Sequence, residues 1–257
     1  MKEKLIAFER LLNIMDDLRE KCPWDKKQTI ASLSHLTIEE TYELVDAIIE
    51  EDMDGLKKEL GDVLLHIVFY ARIASETNDF DIADVINALC EKLIVRHPHI
   101  YGDVTAENEQ QVKENWEKIK LKEKGNTSVL SGVPKSLPAL VKSLRIQDKV
   151  KGVGFDWETP EQVWKKVEEE MGELKEEVAK QDKQKMESEF GDVLFSLINY
   201  ARFIGVDPEA ALEKTNKKFT KRFQHMEDDI NAEGKQLSEM SLEEMEKYYN
   251  KAKELKG

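Results

Sequence analysis

The stretch EEMGELKEEVAKQDKQKMESEFGDVLFSLINYAR, Glu169 to Arg202, sets five acids beside the most apolar run of the chain. Glu169, Glu170 and Glu173 precede a polar break, and Glu189 and Asp192 lead directly into VLFSLINYAR. The same order stands 130 residues earlier. ELGDVLLHIVFYAR (59–72) matches EFGDVLFSLINYAR (189–202) at 8 of 14 positions, and EETYE (39–43) falls on EEMGE (169–173). Five carboxylates therefore recur in register: Glu39/Glu169, Glu40/Glu170, Glu43/Glu173, Glu59/Glu189 and Asp62/Asp192. Acids make up 53 of 257 residues, so five chance coincidences carry odds of roughly a few in ten thousand. The chain is a duplicated domain.

Both copies read as helical. Leu56, Leu60, Val63, Leu64, Ile67 and Ala71 keep the i, i+4, i+7 spacing of a buried stripe. Asp54-Gly55 marks the turn ahead of it, with Asp54 as the expected N-cap, and the preceding helix is expected over about 34–50. The second copy repeats the pair, over about 160–180 and 183–204. Only 12 Gly and 6 Pro, with abundant Glu, Lys and Leu, fit an all-α chain. VLLHIVFYARI is apolar nearly all round apart from His66, so it must be covered on several sides. That calls for a four-helix arrangement, completed by the other copy or by a second chain. Residues 125–160 hold four Gly and three Pro, so the expected division is 1–124, a linker at 125–159, and 160–257. Within the linker, 137–149 can form a short helix.

A net charge of -14 disfavours nucleic acid or an anionic membrane as partner. Cys22 and Cys90 are too few and too far apart for a disulfide scaffold or a zinc site. The N-terminal segment carries acids where a signal peptide would be apolar, and no run reaches 18 apolar residues, so a cytoplasmic protein is expected.

On a helix Glu40 and Glu43 point the same way, as do Glu59 and Asp62 on the next. Antiparallel packing lets these four acids converge. Clustered carboxylates repel and raise one another's pKa, and a hard divalent cation neutralises them most economically. ExxE and ExxD pairs also occur on merely solvated faces. What favours ligands is the order: a double Glu, a third Glu, a turn, and ExxD running into VLL or VLF. A di-iron site would need Glu three residues before a histidine. None of His35, His66, His97, His99 and His225 has one. His66, whose counterpart is Ser196, reads as a core or interface histidine.

EExxE followed by ExxD resembles the signature of the all-α nucleoside triphosphate pyrophosphohydrolases. The tandem arrangement, CPWD at 22–25 and RHPHIYGD at 96–103 are similar to the MazG family in particular, over nearly the whole chain. The resemblance implies two MazG-type helical domains with a four-helix-bundle-like core, and the over-apolar helices predict that homodimerisation completes it. It implies Mg²⁺-dependent hydrolysis, with Mn²⁺ as a substitute, of ribo- and deoxyribonucleoside triphosphates to monophosphate and pyrophosphate. A metal-activated water would attack the α-phosphorus. By similarity Glu170, Glu173, Glu189 and Asp192 are metal ligands, and Glu169 orients or deprotonates the water or is a further ligand. The first copy offers Glu40, Glu43, Glu59 and Asp62, with Glu39 in the place of Glu169.

Such chemistry also asks for positive side chains on the leaving group. NKKFTKRF (216–223), on a helix after the Pro208 turn, offers Asn216, Lys218 and Arg222, read as sharing roughly one face, and Lys165 and Lys166 can add to them. In the first copy Lys92 and Arg96 match Lys218 and Arg222. Cys90 replaces Asn216, however, and LTI (36–38) brings no lysine before the Glu pair. The C-terminal copy is thus expected to be the better equipped hydrolase. Trp24, Trp157, Trp164, Tyr248 and Tyr249 are available to a base without fixing which one. The competing reading is a catalytically silent, metal-binding helical interaction module, which nucleotide turnover would exclude.

Overall fold

Two threonines 130 residues apart start the same helix twice. Around them the computed structural model describes residues 1–105, 108, 111, 112, 115, 116, 119 and 128–254. The chain divides into two compact units, Met1–Trp116 and Glu117–Gly257; the boundary expected at 124/125 lies outside the described residues. The first unit carries α1 (Lys2–Lys21), a 3-10 turn (Asp25–Lys27), α2 (Ile30–Ile49), α3 (Met53–Ser75), α4 (Ile82–Arg96) and the single turn α5 (Pro98–Tyr101). The second carries α6 (Ala139–Lys151), α7 (Pro160–Lys180), α8 (Lys183–Phe203), α9 (Pro208–Ala232), a 3-10 turn (Leu237–Glu239) and α10 (Leu242–Glu254). No strand occurs among the described residues, and the fold is the all-α tandem repeat read from the sequence.

The repeat extends to the caps. Thr29 Oγ1 accepts from the Ser32 amide (3.0 Å) and Ser32 Oγ accepts from the Thr29 amide (2.8 Å), a capping box that Thr159 and Gln162 repeat. This box starts α2 at Ile30, one turn ahead of the helix expected from 34. The N-cap of α3 is Asp52 rather than Asp54: Asp52 Oδ1 accepts from the amides of Asp54 (3.1 Å) and Gly55 (3.0 Å), which puts Asp54 inside the first turn. Asp182 caps α8 in the same way. Just before these caps, Glu51 and Gln181 both adopt left-handed backbone, with φ of 56° and 59°. The duplication thus preserved a hairpin turn at a conformation that costs a non-glycine residue about 1 kcal/mol.

In each unit the two long helices lie against each other, α2 on α3 and α7 on α8, and a preceding helix covers the second of them. In unit 1 that cover is α1. Met15, Leu33, Val68 and Phe69 form the core there, with Phe8, Leu11 and Leu12 packed around it. In unit 2 it is α6, so residues 139–151 of the segment read as a linker form a 13-residue helix packed on α8. Arginines tie the layers together. Arg19 makes two hydrogen bonds to Glu76 (2.7 and 2.9 Å), and Arg72 bonds Asp16 (2.6 Å) and Glu76 (3.1 Å). In unit 2 the counterpart of Arg72, Arg202, pairs with Asp156.

The candidate metal centres

Helical spacing brings Glu40 and Glu43 to one side of α2, and packing on α3 delivers Glu59. Glu170, Glu173 and Glu189 meet in the same way between α7 and α8. In each trio one carboxylate oxygen per residue lies within 4.8 Å of the others. Glu59 and Glu170 are buried, each only 7% exposed, while Glu43 and Glu173 face solvent. Burial raises the pKa of Glu40, and the charges of Asp62, Glu43 and Glu59 raise it further. Glu189 is raised likewise by desolvation and by Glu173, Asp192 and Glu170. Asp62 and Asp192 therefore stand within electrostatic reach of their trios, although the tight groups do not include them. Glu39 and Glu169 are exposed and lie outside the trios as well.

A lysine leans on each group, from opposite helices. In unit 2 Lys166 contacts Glu169 (2.8 Å) and Glu170 (2.7 Å), and these hydrogen bonds raise its pKa. In unit 1 the lysine is Lys58 on α3, 2.9 Å from Glu59 and 3.8 Å from Asp62. Sequence reading passed over Lys58, whose signal was the i, i+4 spacing to Asp62. Lys58 does not satisfy its group, because Glu59 Oε2 is buried with no hydrogen-bond partner. An orphaned, buried carboxylate oxygen among two further carboxylates fits a hard divalent cation, which takes oxygen ligands.

The other expected residues separate into those near one another and those apart. α9 is a regular helix, so Lys218 and Arg222, four apart, share a face. Asn216 lies about 200° around from Lys218 and its Nδ2 donates to Glu213 (3.2 Å), which corrects the reading that the three share a face. Lys165 and Lys218 are exposed, and Arg222 is half-buried. On α4, Lys92 and Cys90 are exposed. Arg96 closes that helix at its last turn. His66 is a buried core histidine: Nδ1 meets Thr37 Oγ1 at 2.7 Å, and Thr37 Oγ1 also meets the Tyr70 hydroxyl at 2.5 Å. Trp164 packs tilted against Tyr200 (ring centroids 4.9 Å apart) and Tyr249 tilted against Phe219 (5.6 Å), while Trp24 is half exposed. No described helix is long and apolar enough to cross a membrane.

Comparison with known proteins places this geometry. The family model of the MazG nucleotide pyrophosphohydrolase domain matches twice, at residues 28–101 and 158–227, and each match contains one trio. The nucleoside triphosphate pyrophosphohydrolase/pyrophosphatase MazG of Thermotoga maritima is 49% identical over 98% of both chains. The nucleoside triphosphate pyrophosphohydrolase of Escherichia coli K12 is 45% identical over 96% of this chain and 97% of its own. A solved structure, the mazG-related protein from Thermotoga maritima, is 28% identical, covers 44% of this chain and 99% of its own, and has a TM-score of 0.40. With two matched domains and full-length relatives at this identity, the chain belongs to the MazG nucleotide pyrophosphohydrolase family.

Proposed function

We propose that this chain hydrolyses nucleoside triphosphates, ribo and deoxy alike, to monophosphate and pyrophosphate, with Mg²⁺ as cofactor and the second copy as the main site. The observation that carries the proposal is the pair of carboxylate trios at matching positions of the two family domains. In the second copy Glu170, Glu173, Glu189 and Asp192 hold the cation, and Glu40, Glu43, Glu59 and Asp62 do so in the first. A divalent ion held there would supply charge neutralisation for the triphosphate and activation of the attacking water. Glu169, exposed beside the trio, would orient or deprotonate the water, and Glu39 takes its place in the first copy. Lys166 already touches Glu169 and Glu170, so it sits where a phosphate oxygen would replace one of its carboxylate partners. Lys218 and Arg222 answer the charge that grows on the leaving pyrophosphate. The first copy, with Lys92 and Arg96, Leu36 where Lys166 stands and Lys58 on the opposite helix of the hairpin, is the weaker site.

The apolar faces of the hairpins support a homodimer. Ile38, Tyr42 and Leu60 are each more than half exposed on α2 and α3, as is Phe190 on α8. Large apolar side chains left this exposed on the hairpins are what a second copy would cover, and a second copy of each hairpin completes a four-helix bundle. A monomer by light scattering at micromolar concentration would contradict it.

Product analysis with the eight common nucleoside triphosphates and Mg²⁺, beside Asp62→Asn and Asp192→Asn, tests the reaction. Monophosphate and pyrophosphate, lost with Asp192→Asn and kept with Asp62→Asn, are expected. Diphosphate and phosphate would overturn the proposed reaction, and no turnover would overturn it in favour of a silent metal-binding scaffold.

A further inference from the structure

Each carboxylate trio has one lysine against it, and the two copies place that lysine differently. Lys166 stands on α7, where the first copy has Leu36. Lys58 stands on α3, where the second copy has the exposed Ser188. Both lysines reach the buried member of their trio: Lys166 Nζ lies 2.7 Å from Glu170, and Lys58 Nζ lies 2.9 Å from Glu59. They differ in the second partner. For Lys166 it is Glu169 (2.8 Å), which is outside the trio and faces solvent. For Lys58 it is Asp62 (3.8 Å), a member of the ligand set of the first copy.

This difference decides what an incoming cation displaces. A divalent ion that takes Glu170 leaves Lys166 the carboxylate of Glu169. One that takes Glu59 and Asp62 leaves Lys58 neither of its ion-pair partners among the described residues. The side chain of Lys58 is 67% exposed, so its contacts add little to stability, but its charge still opposes the ion. A single and a double charge about 5 Å apart in a water-like dielectric repel by an amount worth roughly tenfold in affinity. Swinging the lysine into solvent reduces that figure without removing it. Lys58 also engages only Oε1 of Glu59, and Oε2 stays buried without a partner. The lysine therefore weakens the site without filling it.

We propose that Lys58 sets the divalent-ion affinity of the first copy by competing for Glu59 and Asp62. One chain then carries two cation sites that fill at different ion concentrations, the second copy before the first. The inference rests on the reading of both acid groups as cation sites.

Calorimetric titration of the full chain with Mn²⁺, in the absence of nucleotide, tests it as binding rather than as turnover. Glu189→Gln removes a charged ligand from the second copy, so the affinity that remains is that of the first. In this background Lys58→Met is expected to tighten Mn²⁺ by about threefold or more, and Lys58→Arg to keep the weaker affinity. Lys57→Met removes the same charge one residue away, from a lysine paired with Asp54 (2.9 Å), and is expected to change the affinity far less. The reciprocal transplant, Ser188→Lys in a Glu59→Gln background, is expected to weaken the second copy. Equal affinities with and without Lys58→Met, or an equal gain from Lys57→Met, would overturn the proposal and leave the cation sites standing. No Mn²⁺ bound in either background, by protein that melts cooperatively, would overturn the cation sites themselves and this inference with them.

Discussion

Replacing Glu40 by Gln should stabilise the metal-free protein and destabilise it, relative to the parent, once Mg²⁺ is present. The reasoning starts from the trio, whose oxygens lie within 4.8 Å of one another. Two unit charges at that separation repel by about 0.9 kcal/mol in a water-like dielectric and about 3.5 kcal/mol at an effective dielectric of 20. Glu40 is half-buried and meets two such neighbours, but Lys58 against Glu59 offsets part of the repulsion. A gain of about 1–2 kcal/mol is therefore expected from Glu40→Gln in a chelator, or about 4–8 °C for a unit of this size. Saturating the parent with Mg²⁺ at a hundred times its dissociation constant returns about 2.7 kcal/mol by mass action, more than the variant's lead. The variant, lacking one charged ligand, gains little. Calorimetry of the full chain in chelator and in Mg²⁺ should show the two proteins exchange order in the affected transition. A variant that melts below its parent in chelator, or that gains as much from Mg²⁺, would refute the reading of these acids as a site held against its own repulsion.

Three further outcomes are expected. Asp156→Ala leaves Arg202, whose side chain is 9% exposed, without its anion and should cost about 3–5 kcal/mol; the denaturant midpoint of the second unit reports it. Arg19, through its hydrogen bond, holds the Glu76 carboxyl below the usual range. A depressed folded pKa gives stability that is complete above the unfolded value, about 4.3, and is lost as pH falls through the folded one. Urea midpoints should thus fall more steeply below about pH 4 in the parent than in Glu76→Gln. With Glu76 about a third exposed, solvent screening keeps the effect under about 1 kcal/mol. Gln181→Gly relieves a left-handed backbone and should raise the second unit's stability by about 0.5–1 kcal/mol; a lower melting temperature would contradict it.

The long hairpins were legible because their signals are local. Apolar spacing at i, i+4 and i+7, a turn, and recurrence at an offset of 130 gave α2, α3, α7 and α8 to within a turn. The N-terminal edge of α2 was misjudged because the apolar stripe begins later than the capping box, and the box fixes the first hydrogen bonds. The cap of α3 went to Asp54 because of its glycine, although Asp52 lies where the backbone amides point. Asn216 was grouped with Lys218 on a spacing of two, which a helix sends to opposite sides. What the reading passed over was the pairing of Lys58 and of Lys166 with the acids, although the signal is local: Lys58 stands one and four residues before Glu59 and Asp62, and Lys166 three and four before Glu169 and Glu170.

The duplication also separates what the fold requires from what a site requires. Features that both copies keep serve the hairpin: the capping box at Thr29 and Thr159, the left-handed residue at Glu51 and Gln181, and an arginine at Arg72 and Arg202 that ties the last turn to an acid. The trios are kept as well, and a partly buried cluster of like charges stabilises nothing by itself. Folding alone therefore does not account for its recurrence, whereas binding a cation does. Where the copies diverge the same logic runs in the other direction. Phe69 fills the first unit's core and contributes to stability by burial. Asn199 in its place gives up that burial and ties an amide to Arg202 beside a cavity, a change that weakens packing and adds only a directed donor. Asn199 instead holds Arg202 where it meets Asp156, so the two copies keep one hairpin while closing its last turns by different means, apolar packing in the first and a hydrogen-bonded ion pair in the second.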